Sequence, residues 1–216
     1  MPSYPSYSAL QANEVVGVDY RIRVRRGFSG IAIMAIHGGG IEPGTTEVAD
    51  AVAGHLHTFY SFSGLKPSGN AGLHISSRKF DEPTGRFIAQ NSRMVVTIHG
   101  CRDESIATYV GGRHIAMKKS VRAALVSAGF TATDARRFPG INPKNICNRG
   151  RSGVGVQLEI SFALRKLLFE DISRLHRKTI TPCFSAYVRA VQCGINRSFP
   201  THPPWGQSGH PRLFPA

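Results

Sequence analysis

The sequence predicts a single α/β domain with a mixed, largely parallel sheet flanked by helices. Three observations lead there. At 216 residues the chain fits one full-sized domain of ~100–200 residues, large enough to bury a core without disulfide or metal staples. Strand-length apolar runs alternate with amphipathic helical stretches, the pattern of strands linked by crossover helices. The longest apolar run, residues 31–36, is strand-sized and far short of the ~20 residues that cross a bilayer, so no membrane partner is expected.

The elements follow in order. Residues 20–24 (YRIRV) alternate as a half-buried strand does, and Arg25, Arg26 and Gly27 turn the chain. GIAIMAI, residues 30–36, reads as a fully buried strand. The loop HGGGIEPG follows, and Thr45 or Thr46 caps a helix to about Gly54 with Glu47 in its first turn. Short strands are expected at 57–62 and 72–75, and a helix within 82–91. MVVTI, residues 94–98, is a second buried strand, 108–110 a short one, and 115–128 a helix stopped by Gly129. A third central strand is expected at 153–158, with helices at 164–175 and 184–191. The segment from 198 to 216 is Pro-rich and aperiodic, so the domain is read as 1–197 with a C-terminal tail.

Charged residues are only 19%, yet they are lopsided. Twenty-seven Lys and Arg against 13 Asp and Glu leave +14, and arginine outnumbers lysine 20 to 7. Such a balance points to a polyanionic partner, and the arginine excess favours planar recognition of carboxylate or phosphate. Four cysteines without a C-x-x-C spacing read as reduced thiols. The opening residues MPSYPSYSALQANEVVG lack the basic and apolar regions of a secretory signal, so a cytoplasmic product is expected as synthesised. A monomer is expected.

Two strand endings echo one another: IAIMAIHGGG and MVVTIHGCR each run from an apolar strand into His-Gly. Ligands of open α/β sheets sit beyond the carboxyl ends of strands, so His37 and His99 can converge there. With Glu42 five residues beyond His37, two imidazoles and a carboxylate form a set able to hold zinc with a coordination position open. The alternative is two ordinary histidines donating to nearby carbonyls. Glu159, directly following an apolar strand, is either a general base of partly buried character or the ion-pair partner of Arg165 or Arg149. The Gly-flanked pair Asn148–Arg149 could clamp a carboxylate or stand solvated. The arginines at 21, 23, 25 and 26 read as a charged sheet edge.

The segments HGGGIEPGTTE (37–47), LHISSRKFDEP (73–83), TIHG (97–100), YVGG (109–112), NICNRG (145–150) and GVQLEIS (155–161) together resemble the poly-gamma-glutamate hydrolase family of phages and bacteria, over roughly residues 15–195. The resemblance implies a zinc carboxypeptidase-like α/β fold and a zinc-dependent amide hydrolase, a metallopeptidase acting on the gamma-glutamyl bonds of an anionic polypeptide. It implies one zinc ion on His37, Glu42 and His99, with Glu159 as the catalytic acid/base. Substrate would be met by Arg149, and Asn148, Arg165 and His74 are the further substrate-binding candidates. Release by phage-induced lysis would bring such an enzyme to extracellular polymer. A basic nucleic-acid-binding module would use the same +14, but no helix-turn-helix, zinc-finger or RNP pattern supports it. A zinc amidase or carboxypeptidase acting on another acyl-amino acid is the remaining alternative.

Overall fold

A computed structural model describes residues 4–173, 177 and 179–199. Seven strands form one sheet in the order β1-β3-β2-β4-β7-β5-β6. Its centre is parallel: β3 (Thr58–Gly64), β2 (Ile31–Gly39), β4 (Met94–Cys101) and β7 (Val156–Ser161). β1 (Tyr20–Arg25) closes one edge antiparallel to β3. β5 (Thr108–Gly112) lies antiparallel to β7 and parallel to the short β6 (Ala132–Asp134). The sheet is therefore mixed.

The central strands are continuous apolar runs because both sheet faces are covered. Along β2, Ile31, Ile33 and Ala35 face one core with α2 (Thr45–Ala53), α4 (Ile115–Ser127) and α6 (Pro182–Ser198). Ala32, Met34 and Ile36 face a second core, which includes Leu10 of α1 (Tyr7–Gln11) and Ala89 of α3 (Pro83–Asn91). The chain leaves β2 for β3 on one side and returns through α3 to β4 on the other. Connections thus diverge between β2 and β4, the crevice where open α/β sheets take ligands.

Local chemistry sets the element ends. Glu82 caps α3, accepting the N–H groups of Thr84 and Gly85 and also the Tyr60 hydroxyl at 2.6 Å. Ser161 ends β7 and caps α5 (Phe162–Leu168) by accepting the Leu164 N–H.

Several expectations change. Residues 72–75 are no strand: a 3-10 turn, Asn70–Leu73, leads into a connection anchored by the buried Leu73 and Ile75, with no sheet neighbour to pair its backbone. The third central strand sits three residues later than its apolar pattern suggests. α5 stops at Leu168 because Phe169 turns extended and bridges Ile180. β6 and α1 were not legible, one being a polar three-residue strand and the other a single turn and a half. The expected edge arginines are engaged: Arg23 and Arg25 both bind Asp50 of α2. All four cysteines are free. Ser198 closes α6, and 200–216 of the expected tail lie outside the described residues. Among the described residues no helix is long and apolar enough to cross a membrane.

Candidate functional site

The ladder between β2 and β4 runs from Ile31↔Met94 only to Met34↔Thr97, and on its other side the register of β2 against β3 slips between Ala35 and Gly38. Beyond that point the strand ends open, and the two expected histidines turn toward each other. Their Nδ1 atoms lie 3.1 Å apart, both rings buried. The loop after β2 folds back, its Glu42 N–H donating to the His37 carbonyl. That brings the carboxylate to 2.9 Å from His37 Nδ1 and 3.4 Å from His99 Nδ1. The carboxylate also accepts the Gly100 N–H at 2.8 Å.

Proton placement follows from the outer contacts. His37 Nε2 lies 2.7 Å from the Ile75 carbonyl, which can only accept, so Nε2 carries the hydrogen and Nδ1 presents a lone pair inward. This is the arrangement of a metal-ligating histidine oriented by a backbone carbonyl. His37, Glu42 and His99 offer three ligand atoms within 4.8 Å of one another. Buried acceptors so close repel unless a cation lies among them, and two nitrogens with one carboxylate oxygen suit zinc. The residues fit the metal. With no cation between them, burial alone would raise the Glu42 carboxyl, but His37 and His99 in their protonated forms, donating toward it, outweigh burial and hold it well below the usual range. The inward lone pair of His37 Nδ1 belongs to the form that takes a metal. Burial likewise works against charge on His99, whose basicity is nonetheless raised by Glu42 and Glu159.

Glu159 joins through register. On the parallel neighbours β4 and β7, His99 pairs with Glu159, and paired side chains share a face. Burial pushes the Glu159 carboxyl up to about 7, against the opposing pull of His99. Its Oε1 accepts from Gln157 Nε2 at 2.9 Å, and Gln157 in turn accepts from Asn145 Nδ2 at 2.9 Å. Glu159 makes no direct ion pair with Arg165 or Arg149.

A cleft of about 720 Å³ opens onto this centre, lined by His37, Glu42, His74, His99 and Glu159 among others. His74 stacks on His37, ring centroids 3.8 Å apart, and burial pushes it down to about 3, so it stays neutral.

Three substrate-binding candidates lie elsewhere. Asn148 is buried behind the cleft wall, its amide donating to the carbonyls of Gly140 and Asn142 and accepting the Gly155 N–H. Arg149 turns away and donates to the Lys144 carbonyl. Arg165 is buried beneath the site, its guanidinium bonded to the carbonyls of Pro43, Cys101 and Ile160, and so ties together the ends of three site-forming segments. The arginines that do line the cleft, Arg78, Arg102 and Arg137, were not singled out. Arg102 follows His99 by three residues, and Gln157 shares the Glu159 face at i and i−2, a signal that could have found it.

A family model described as poly-gamma-glutamate hydrolase matches residues 4–190. The chain belongs to the poly-gamma-glutamate hydrolase family. It is thereby an enzyme, a hydrolase. The UPF0714 proteins YndL and YmaC of Bacillus subtilis (strain 168) are 36% identical over 181 residues and 35% identical over 202 residues. These alignments cover 82% of this chain and 71% of YndL, and 91% of this chain and 85% of YmaC. A bacteriophage poly-gamma-glutamate hydrolase of known structure superposes with a TM-score of 0.89 at 38% identity, covering 91% of this chain and 98% of that one. The zinc-free apo form of YndL gives 0.88 at 32% identity, covering 92% and 100%.

Proposed function

We propose that this member of the family cleaves the gamma-linked amide bonds of poly-gamma-glutamate with one zinc ion held by His37, Glu42 and His99. The observation that carries the reading is the convergence of these three buried ligand atoms beside Glu159 at the sheet's diverging point. When bound, zinc supplies a Lewis acid that polarises the scissile carbonyl and makes water a better acid.

The remaining steps belong to the chain's own groups. Glu159 Oε1 is occupied by Gln157, which leaves Oε2 to take a proton from the attacking water and return it to the leaving amine. Burial that lifts this carboxyl to about 7 matches it to both halves of that transfer near neutral pH. Arg165 positions rather than binds: by fixing the Pro43, Cys101 and Ile160 carbonyls it holds the Glu42 loop against the ends of β4 and β7. His74, neutral and stacked on His37, presents a polar edge to the cleft without a second positive charge beside the metal site. The +14 charge draws in a polymer with a carboxylate on every residue.

The test is size analysis of poly-gamma-glutamate after incubation with the zinc-loaded and the chelator-treated protein. The polymer is expected to shorten only with zinc, and zinc is expected to raise Tm in the wild type but not in His37→Ala. Intact polymer at every metal loading, together with tight binding of duplex DNA, would refute the proposal.

A further inference from the structure

A second cavity, of about 600 Å³, adjoins the catalytic cleft. Cys101, Arg102, Arg137 and Phe138 line both, so the two lie side by side along the same stretch of surface. Register shows how they lie. His99 pairs with Glu159, Glu159 with Tyr109 and Tyr109 with Thr133, one row on one sheet face across β4, β7, β5 and β6. The near end of this row carries a metal ligand and the acid/base. Its far end, Tyr109 and Thr133, lines the second cavity.

The second cavity is cationic. Arg102, Arg122, Arg136 and Arg137 line it against Asp103 and Asp134. Both acids have partners: Asp103 accepts the Tyr109 hydroxyl at 2.6 Å, and Asp134 binds Arg122 at 2.9 Å. Arg102, Arg136 and Arg137 have no ion pair with any described residue, and Arg137 rests over the Phe138 ring. Two arginines of another cavity differ. In the cavity beside α2, Arg23 and Arg25 are consumed by Asp50 and, for Arg25, the Gly54 carbonyl. Guanidinium forks free of ion pairs, beside the catalytic cleft, match carboxylates in bidentate fashion.

The dimensions agree. Three inter-strand steps of ~4.8 Å make the row ~14 Å long. A gamma-linked glutamyl unit has five backbone bonds where an ordinary residue has three, and so spans ~6 Å when extended. The row thus accommodates about two units beyond the scissile bond.

Resting on the hydrolase reading above, we propose that Arg102, Arg136 and Arg137 form a distal subsite that binds the α-carboxylates of successive gamma-glutamyl residues, so that the enzyme grips the polymer well away from the bond it cuts. Binding is measured by titration calorimetry of poly-gamma-glutamate into chelator-treated protein, where no turnover intrudes, and KM and kcat are then measured on the zinc-loaded enzyme. Arg136→Glu/Arg137→Glu is expected to weaken binding ~10-fold or more and to place its loss in KM. Arg136→Lys/Arg137→Lys should recover part of the affinity, since charge survives without the fork. Arg189→Glu/Arg197→Glu on the exposed face of α6 changes net charge equally and should leave affinity near the wild-type value. Unchanged affinity and KM in the first variant would overturn the subsite, as would an equal loss in the α6 variant, which would mean diffuse attraction. A wild type that binds polymer through these arginines yet never shortens it supports the subsite and refutes the hydrolytic reading, so the two fail separately.

Discussion

Replacing Glu159 by Gln separates catalysis from architecture, because the structure predicts opposite results for the two roles. Packing should survive. The Gln carbonyl oxygen can accept the Gln157 Nε2 hydrogen bond now taken by Oε1 at 2.9 Å, and side-chain volume hardly changes. No cation is stranded, since Arg165 already donates to three carbonyls. The ~3–5 kcal/mol penalty of a broken buried ion pair is therefore not expected. The pH dependence has a definite sign. Burial raises the native carboxyl to about 7, so its contribution to stability is complete below the unfolded carboxylate range and is lost as pH rises through 7. The metal-free Gln variant, which cannot ionise, should gain on metal-free wild type across that window, by on the order of 1–3 kcal/mol at pH 8. Turnover should fall ~10²–10⁴-fold, the usual contribution of a positioned acid/base, or ~3–5 kcal/mol in the barrier. The assay is turnover of poly-gamma-glutamate at 25 °C, alongside zinc content and thermal melts. Full activity in a folded, zinc-loaded variant would remove Glu159 from the mechanism. Early melting with specific activity retained would make it a structural partner instead.

Two further expectations concern the frame around the site. A Cβ at Gly100 would stand 2.5 Å from Arg165 Cζ, and that guanidinium is pinned by three carbonyls. Gly100→Ala should thus cost ~1–3 kcal/mol in urea denaturation and weaken zinc binding through the shifted Gly100 N–H to Glu42; an unchanged midpoint and zinc affinity would show that Arg165 yields freely. His57, buried just before β3 and bonded to Ser29, is pushed down to about 4 by burial, so the native state holds it neutral. Its contribution is complete above pH ~6.5 and lost toward pH 4, about 2 kcal/mol by pH 5, and His57→Gln should flatten that part of the stability-pH curve.

The sequence by itself determined the buried strands at 31–36 and 94–98, the bounds of α2, α3 and α4, and the likeness of the two His-Gly endings. These are local signals: apolar runs buried on both faces, caps one turn from their helix, and a ligand set whose first two members lie five residues apart. It also placed His99 and Glu159 at strand ends. Only the tertiary structure decided that β2 and β4 are neighbours at the diverging point, because pairing of parallel strands some sixty residues apart is settled by the packing of both cores together. It decided that Ile75 fixes the His37 tautomer and that register sets Glu159 beside His99. It decided too which arginines face the cleft. In a chain with 20 of them, Arg149 and Arg102 look alike in sequence. Arg149 ends beside the Lys144 carbonyl and Arg102 in the cleft, because a long side chain's direction depends on the backbone partners and open space around it, and distant parts of the chain supply both.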